Sequence, residues 1–305
     1  MENFNPLVSV IINCYNGEKY LREAIDSVIA QTYSNWEIIF WDNQSTDSSA
    51  EIVKSYNDDR IKYYYAPKHT PLGEARNLAM DKAQGQYLSF LDCDDLWMEN
   101  CLEVYVNYIL EYPQVCLFYS KFKSKSGSLE WYSNKRVKSE VITFNRFIRH
   151  YDVAMSSVMI KREVLTKHKL IFNNRFSLIE DFDFFIRIAS HGEVLSLSDC
   201  LLVYRYHENN LSKSDKWVSE LDMLCELINS RQQGYESHYK YLSCFYLLRN
   251  HYLVYEYVRK HKRFKAFCLI VKTSLCDLSF LRFIMLLIGG VEISKKYRSI
   301  VNRCK

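Results

Sequence analysis

Over its first hundred residues the chain alternates short apolar runs with amphipathic stretches, and few folds accept that rhythm. Val8 to Asn13 is a continuous apolar run ending in a polar loop, which predicts a first strand buried on both faces. Glu18 to Gln31 carries Tyr20, Leu21, Ala24, Ile25, Val28 and Ile29 at helical spacing, and a second apolar strand is expected from Glu37 to Trp41. A helix over Ser48 to Tyr56, a strand over Ile61 to Tyr65, a helix over Leu72 to Ala83 and a strand over Tyr87 to Leu91 continue the pattern. Such βαβα repetition favours a parallel sheet flanked by helices. In open sheets of this kind ligands sit beyond the carboxyl ends of the strands. Three of those ends carry Asn13 to Asn16, Asp42, and Asp92 to Asp95.

The rhythm loosens after Trp97. A helix to about Glu111, a strand Val115 to Ser120, and a polar hairpin or loop near Lys121 to Lys138 are expected. A strand Ser156 to Ile160, a helix Glu180 to Ser190 and a strand Val194 to Leu197 follow. Beyond Asp215 the periodicity is helical, so residues 1–212 form the main domain, with halves 1–112 and 113–212, and residues 213–305 a helical region. Arg259 to Lys305 holds twelve Lys or Arg against Asp277 and Glu292, whereas the whole chain of 305 residues has a net charge of +4. A basic tail on a slightly acidic body suggests an anionic surface, lipid headgroups among the candidates. Phe280 to Gly290 is apolar but too short to span a bilayer. An interfacial helix and a soluble helical bundle both stay open for this region. Nucleic acid is not expected, because the basic residues are interleaved with apolar faces. The ten cysteines contain no C-x-x-C pair, and no basic and apolar leader precedes Leu7. Both features predict a cytoplasmic protein, peripheral at the inner face of the membrane if the tail docks there.

The chemistry concentrates where three carboxylates follow directly on a buried strand, in Phe90-Leu91-Asp92-Cys93-Asp94-Asp95. Like charges so close call for a cation, and a Mg²⁺ or Mn²⁺ ion bridging carboxylate and diphosphate oxygens supplies one. Asp95 has a plainer reading as a helix N-cap. A Rossmann-type dehydrogenase is excluded by the first strand-loop, which reads Asn13-Cys14-Tyr15-Asn16-Gly17-Glu18 with no G-x-G-x-x-G.

These motifs, in their order, resemble those of the large inverting family 2 of nucleotide-sugar glycosyltransferases. Val8 to Gly17 is similar to the family's opening strand and loop, Ala30-Gln31-Thr32-Tyr33 to its first helix ending, and Asp42-Asn43-Gln44-Ser45-Thr46-Asp47 to its acidic turn. Gly73-Glu74-Ala75-Arg76-Asn77, Gly85-Gln86-Tyr87 and the D-x-D element Asp92-Cys93-Asp94 follow the pattern. Ile179-Glu180-Asp181-Phe182-Asp183 resembles the family's E-D motif, and Tyr204-Arg205-Tyr206-His207 its late Y-R-x-H segment. Two positions depart from the pattern. Asn13 replaces a common Pro and Asn43 the second Asp of the acidic turn.

The resemblance implies an α/β fold of GT-A type, a Rossmann-like, mostly parallel sheet flanked by helices, with a C-terminal helical appendage. It implies a nucleotide-sugar donor, first of all a UDP-sugar, contacted by Asn13, Tyr15, Asn16, Asp42, Arg76, Asp92 and Cys93. Asp42 is expected to bond the uracil ring, and Arg76 to face either phosphate or an internal acid. Asp94, assisted by Asp92 and His207, is expected to hold Mg²⁺ or Mn²⁺. Asp181 is the expected catalytic base, Glu180 is expected at the acceptor, and Asp183 is read as a helix cap. A glycan or lipid-linked glycan acceptor follows from the same likeness. A metal-dependent nucleotidyltransferase and a non-catalytic protein on the same fold are the alternatives.

Overall fold

The computed structural model describes residues 4–134, 137–208, 217–259 and 265. They divide into two compact units, one within Met1–Phe147 and Tyr151–Asn210, the other within Ile148–His150 and Leu211–Lys305. The expected membrane or bundle contact of the basic tail from 260 onward lies outside the described residues, save for position 265.

The first unit begins with β1 (Val8–Cys14), α1 (Glu18–Ile29), β2 (Trp36–Asp42), α2 (Ser49–Lys54), β3 (Ile61–Tyr65), α3 (Leu72–Met80) and β4 (Tyr87–Phe90). β5 (Leu96–Trp97), α4 (Cys101–Glu111), β6 (Val115–Ser126), β7 (Leu129–Tyr132), β8 (Glu140–Ile142) and α5 (Phe144–Arg149) follow. A 3₁₀ turn at Met155–Ser157 leads into β9 (Val158–Lys161), α6 (Arg162–His168), α7 (Glu180–Ala189) and β10 (Glu193–Arg205). The second unit contains α8 (Trp217–Asn229), a 3₁₀ stretch Glu236–Tyr241 and α9 (Leu242–Arg259). Within it Arg249 Nε donates to Asp222 across 2.6 Å, and no described helix is long and apolar enough to cross a membrane.

The sheet runs β3-β2-β1-β4-β9-β6-β10-β5, with β7 on β6 and β8 on β10. β1, β2, β3 and β4 pair in parallel. β9 pairs antiparallel with both β4 and β6, so β6 and its parallel neighbour β10 run in the same direction as β4. One edge of the sheet therefore collects the carboxyl ends of β1, β2, β4, β6 and β10. Every residue of β2 is buried, as are all but Asn13 in β1, as a strand covered on both faces requires. Leu21, Ala24, Ile25 and Val28 of α1 join β1 and β2 in one core.

Several elements depart from the sequence expectation; β10, for one, runs eight residues past Leu197 to Arg205. β6 runs six residues past Ser120, because β7 and β10 together pair its polar end. Asp95 is not a helix cap: Leu96–Trp97 is a short strand on β10.

Candidate active site

The carboxyl end of β4 is tied down by a serine from the far half of the unit. Ser156, in the 3₁₀ turn, accepts the Asp92 N–H at 3.0 Å and donates its hydroxyl to Asp95 Oδ2 at 2.6 Å. Asp95 Oδ1 accepts the Arg205 N–H at 3.0 Å. Asp95 is fully buried; desolvation, and then the charges of Asp92 and Asp94, push its pKa well above the carboxylate range. It is the internal anchor of the loop, and Ser156 is a site residue the sequence reading missed. Its partners lie 61 and 64 positions away, and a lone serine in a strand-like run carries no signal.

Asp92 and Asp94 diverge from this anchor. Asp92 Oδ1 accepts from Arg76 at 3.2 Å, and the same guanidinium donates to Glu180 Oε1 at 2.9 Å. Arg76 is buried on α3 and faces the Phe172 ring. Burial works against its charge, but Asp92, Glu180 and Asp181 outweigh that cost and raise its pKa. Of its two expected partners, phosphate and an internal acid, the geometry supplies the acid, twice. Glu180 is likewise buried, and its Oε2 has no hydrogen-bond partner among the described residues. Asp94 turns the other way, with Oδ2 at 2.8 Å from His207 Nε2, both side chains about one quarter exposed. The His207 ring lies beside Tyr20 of α1. Arg205 pairs with Glu23 and covers the same Tyr20 ring.

Asp181 opens α7 next to Glu180. Its Oδ1 accepts the Phe182 N–H at 2.6 Å. Desolvation, and then the neighbouring Glu180 charge, push its pKa up to about 7, against the pull of Arg76. Asp183 is not the helix cap expected of it. It lies a turn inside α7, wholly buried, and binds Arg187 Nε and Nη2 through Oδ2 at 3.0 and 2.7 Å.

At the ends of β1 and β2 the side chains largely knit the loops to each other. Asp42 is fully buried, Oδ1 accepting the Ser45 N–H and Oδ2 the Tyr63 hydroxyl, both at 2.7 Å. Asn16 Oδ1 accepts the Thr46 N–H at 2.8 Å. Asn13 Nδ2 is buried and unpaired among the described residues. Continuing the β1–β4 register past Ile11↔Phe90 sets Asn13 beside Asp92 and Cys14 beside Cys93. A Cβ on Gly17 would fall 2.7 Å from the Cys14 sulfur and 2.8 Å from that of Cys93, so the glycine is what lets these loops meet. Tyr15 is 53% exposed, edge-on to His69 at 4.5 Å. His69 Nδ1 lies 2.8 Å from the Asn43 carbonyl, and Asn43 exchanges hydrogen bonds with Thr70. His69 and Thr70 were not foreseen, since nothing near them in sequence marks a site.

Among the described residues no three His, Cys, Asp or Glu side chains form a ready-made cation cage. Asp94 and His207 offer one oxygen and one nitrogen donor, each side chain about one quarter exposed.

Comparison with known proteins agrees with this architecture. TuaG of Bacillus subtilis, named for teichuronic acid biosynthesis, is 30% identical over 71% of this chain and 85% of its own length. The Escherichia coli UDP-Glc:alpha-D-GlcNAc-diphosphoundecaprenol beta-1,3-glucosyltransferase WfgD is 27% identical over 70% of this chain and 82% of its own. Among solved structures, S. aureus TarS 1-349 with UDP-GlcNAc superposes with a TM-score of 0.71 at 19% identity, covering 96% of this chain and 91% of that one. The mannosyltransferase PcManGT from Pyrobaculum calidifontis, in complex with GDP-Man and Mn2+, does so at 0.59 and 17%, covering 97% and 83%. The sheet is thus of GT-A type. With residues 9–169 matching the model of "Glycosyl transferase family 2", the chain belongs to that family of glycosyltransferases.

Proposed function

We propose that the chain transfers a sugar from a UDP-sugar, with inversion, to a hydroxyl of a lipid-diphosphate-linked glycan. The observation that carries this reading is the convergence of two acidic motifs on Arg76, which joins Asp92 to Glu180. One motif presents Asp94 with His207; the other presents Asp181, with a pKa of about 7. A base titrating near the working pH is suited to take a hydroxyl proton as that oxygen attacks. Asp181 receives the proton, the acceptor oxygen bonds to the anomeric carbon, and the bond to the diphosphate breaks with its electron pair leaving on phosphate. Asp94 and His207, with Asp92 beside them, would hold a divalent cation. Bound there, the cation supplies positive charge to the departing diphosphate.

Tyr15, exposed beside His69, offers a ring for the nucleobase, with Asn16 on the same loop and Asn13 near the end of β1. Asp42 holds the loop after β2 through the Ser45 N–H. The UDP-sugar choice draws on TarS with UDP-GlcNAc and on WfgD, and the acceptor on the name of WfgD. PcManGT with GDP-Man makes the base worth testing. The test is nucleoside diphosphate release from UDP-glucose, UDP-GlcNAc and GDP-mannose, with Mn²⁺ or Mg²⁺ and with GlcNAc-diphosphoryl-undecane as acceptor. UDP release that depends on acceptor and metal, and is lost in Asp181→Asn, is the expected result. A folded protein that releases no nucleotide from any donor overturns the reading.

A further inference from the structure

The end of β6 overhangs the sheet. Lys121 to Lys125 pair with Cys200 to Arg205 of β10 on one side, and Lys123 to Ser126 with β7 on the other. Gly127, at φ +58 with open space around its Cα, closes the hairpin. Directly paired residues share a sheet face, so Trp131, Ser124 and Tyr204 lie on one side. Two ring contacts extend that side, Phe122 to Tyr204 at 5.8 Å and Trp131 to Tyr206 at 5.9 Å. Ser124 is small and buried between its neighbours, whereas Trp131 and Tyr206 remain 43% and 40% exposed. An exposed aromatic patch of this kind marks a binding surface.

Its position indicates what binds. Tyr206 directly precedes His207, whose Nε2 meets Asp94. At the hairpin's other end, Asn134 donates to Asp152, and the adjoining Tyr151 packs edge-on against Phe182, next to Asp181. The aromatic strip is therefore continuous with both halves of the candidate site. Trp and Tyr rings present a broad, rigid apolar face at low entropic cost, which matches the C–H face of a pyranose ring. We infer that Trp131 and Tyr206 form a stacking platform for the acceptor's terminal sugar, an inference that rests on the glycosyl-transfer reading.

The experiment uses the full chain, GlcNAc-diphosphoryl-undecane as probe, and Trp131→Ala, Trp131→Phe and Tyr206→Ala. The platform predicts that Trp131→Ala raises the acceptor KM at least tenfold while the donor KM stays within twofold and kcat at saturating acceptor within threefold. Trp131→Phe restores most of the loss, and Tyr206→Ala repeats it to a smaller degree. An unchanged acceptor KM, or donor and acceptor KM rising together as for a structural defect, overturns the platform. So does Trp131→Ala weakening sedimentation with phosphatidylglycerol vesicles while acceptor KM holds, which assigns the strip to a lipid surface. Should the wild type release no nucleotide, the transfer reading fails, and tryptophan fluorescence still decides the platform. Quenching by the probe in wild type but not in Trp131→Phe supports it, and equal signals in both overturn it.

Discussion

Asp92-Cys93-Asp94-Asp95 and Glu180-Asp181-Phe182-Asp183 are acidic quartets of similar composition, and their side chains divide the work in parallel. Each gives one carboxylate to Arg76, Asp92 in the first and Glu180 in the second. Each buries one as an anchor, Asp95 on Ser156 and Arg205, Asp183 on Arg187. Each leaves one for chemistry, and there the parallel ends. Asp94 faces a histidine, while Asp181 sits beside the like charge of Glu180 with its pKa up to about 7. In the proposed reading, identical side chains thus take different tasks, metal ligand at Asp94 and base at Asp181, from what faces them.

The sharpest way to break this division is Asp181→Asn, which keeps shape and removes the proposed base. Turnover should fall about 10²- to 10⁴-fold, with donor KM and the Mn²⁺ half-saturation unchanged. In wild type, log(kcat/KM) should climb one unit per pH unit up to about pH 7 and then flatten, since only the ionised carboxylate accepts a proton. Stability should move the opposite way. A folded-state pKa raised above the unfolded one stabilises the protein at low pH, and that contribution is lost as pH rises through 7. At pH 8 the Asn variant should therefore be no less stable than wild type, and up to about 4 kcal/mol more so. A variant that is both inactive and less stable at pH 8 would place Asp181 in a structural role.

Arg76→Met tests the junction of the two quartets. It leaves buried Glu180 without its cation, while Asp92 is 38% exposed, for a loss of about 3–5 kcal/mol in denaturant unfolding. Arg76→Lys keeps the charge without the fork that reaches both acids and should fall between. If Arg76→Met costs no more than a surface substitution, the two motifs are not energetically joined.

Asp94→Asn should raise the Mn²⁺ half-saturation at least tenfold, a change of about 1.4 kcal/mol, and leave the pH profile intact. That is the mirror image of the Asp181 result. Movement of both readouts in either variant would mean that the two quartets act as one unit.

How much of this was legible beforehand follows from sequence separation. β1 to β4 declare themselves through short apolar runs and their helices through a period of 3.6 residues, and Asp92, Asp94 and Asp181 through position at a strand end or helix start. What the periodicity did not expose was pairing across the chain. The hydrogen bond that Asp42 accepts from Tyr63 on β3 joins positions 21 residues apart and has no signature in the sequence. Arg76 reads as facing either phosphate or an internal acid, and only the fold brings Glu180, 104 positions away, into place beside it. β5 has two residues and β8 three, too few for any period to register. The end of β6 is built from lysines and serines, which leave hairpin and loop both open, and pairing with β7 makes it the hairpin.

The anchors offer the smallest and most discriminating contrast. Asp183 neutralises Arg187 inside the core, so Asp183→Asn strands a buried cation and belongs with the large losses. Asp95 meets only neutral donors among the contacts described, a hydroxyl and a backbone N–H, and burial already pushes its pKa up. Asn in its place still accepts one of those bonds through its carbonyl and forfeits the other. Asp95→Asn should therefore cost about 1 kcal/mol in unfolding and leave the Mn²⁺ half-saturation where it was. A loss comparable to that of Asp183→Asn would show that Asp95 carries its charge into the folded state, and that the D-x-D loop is held by an ion rather than by a hydrogen-bonded acid.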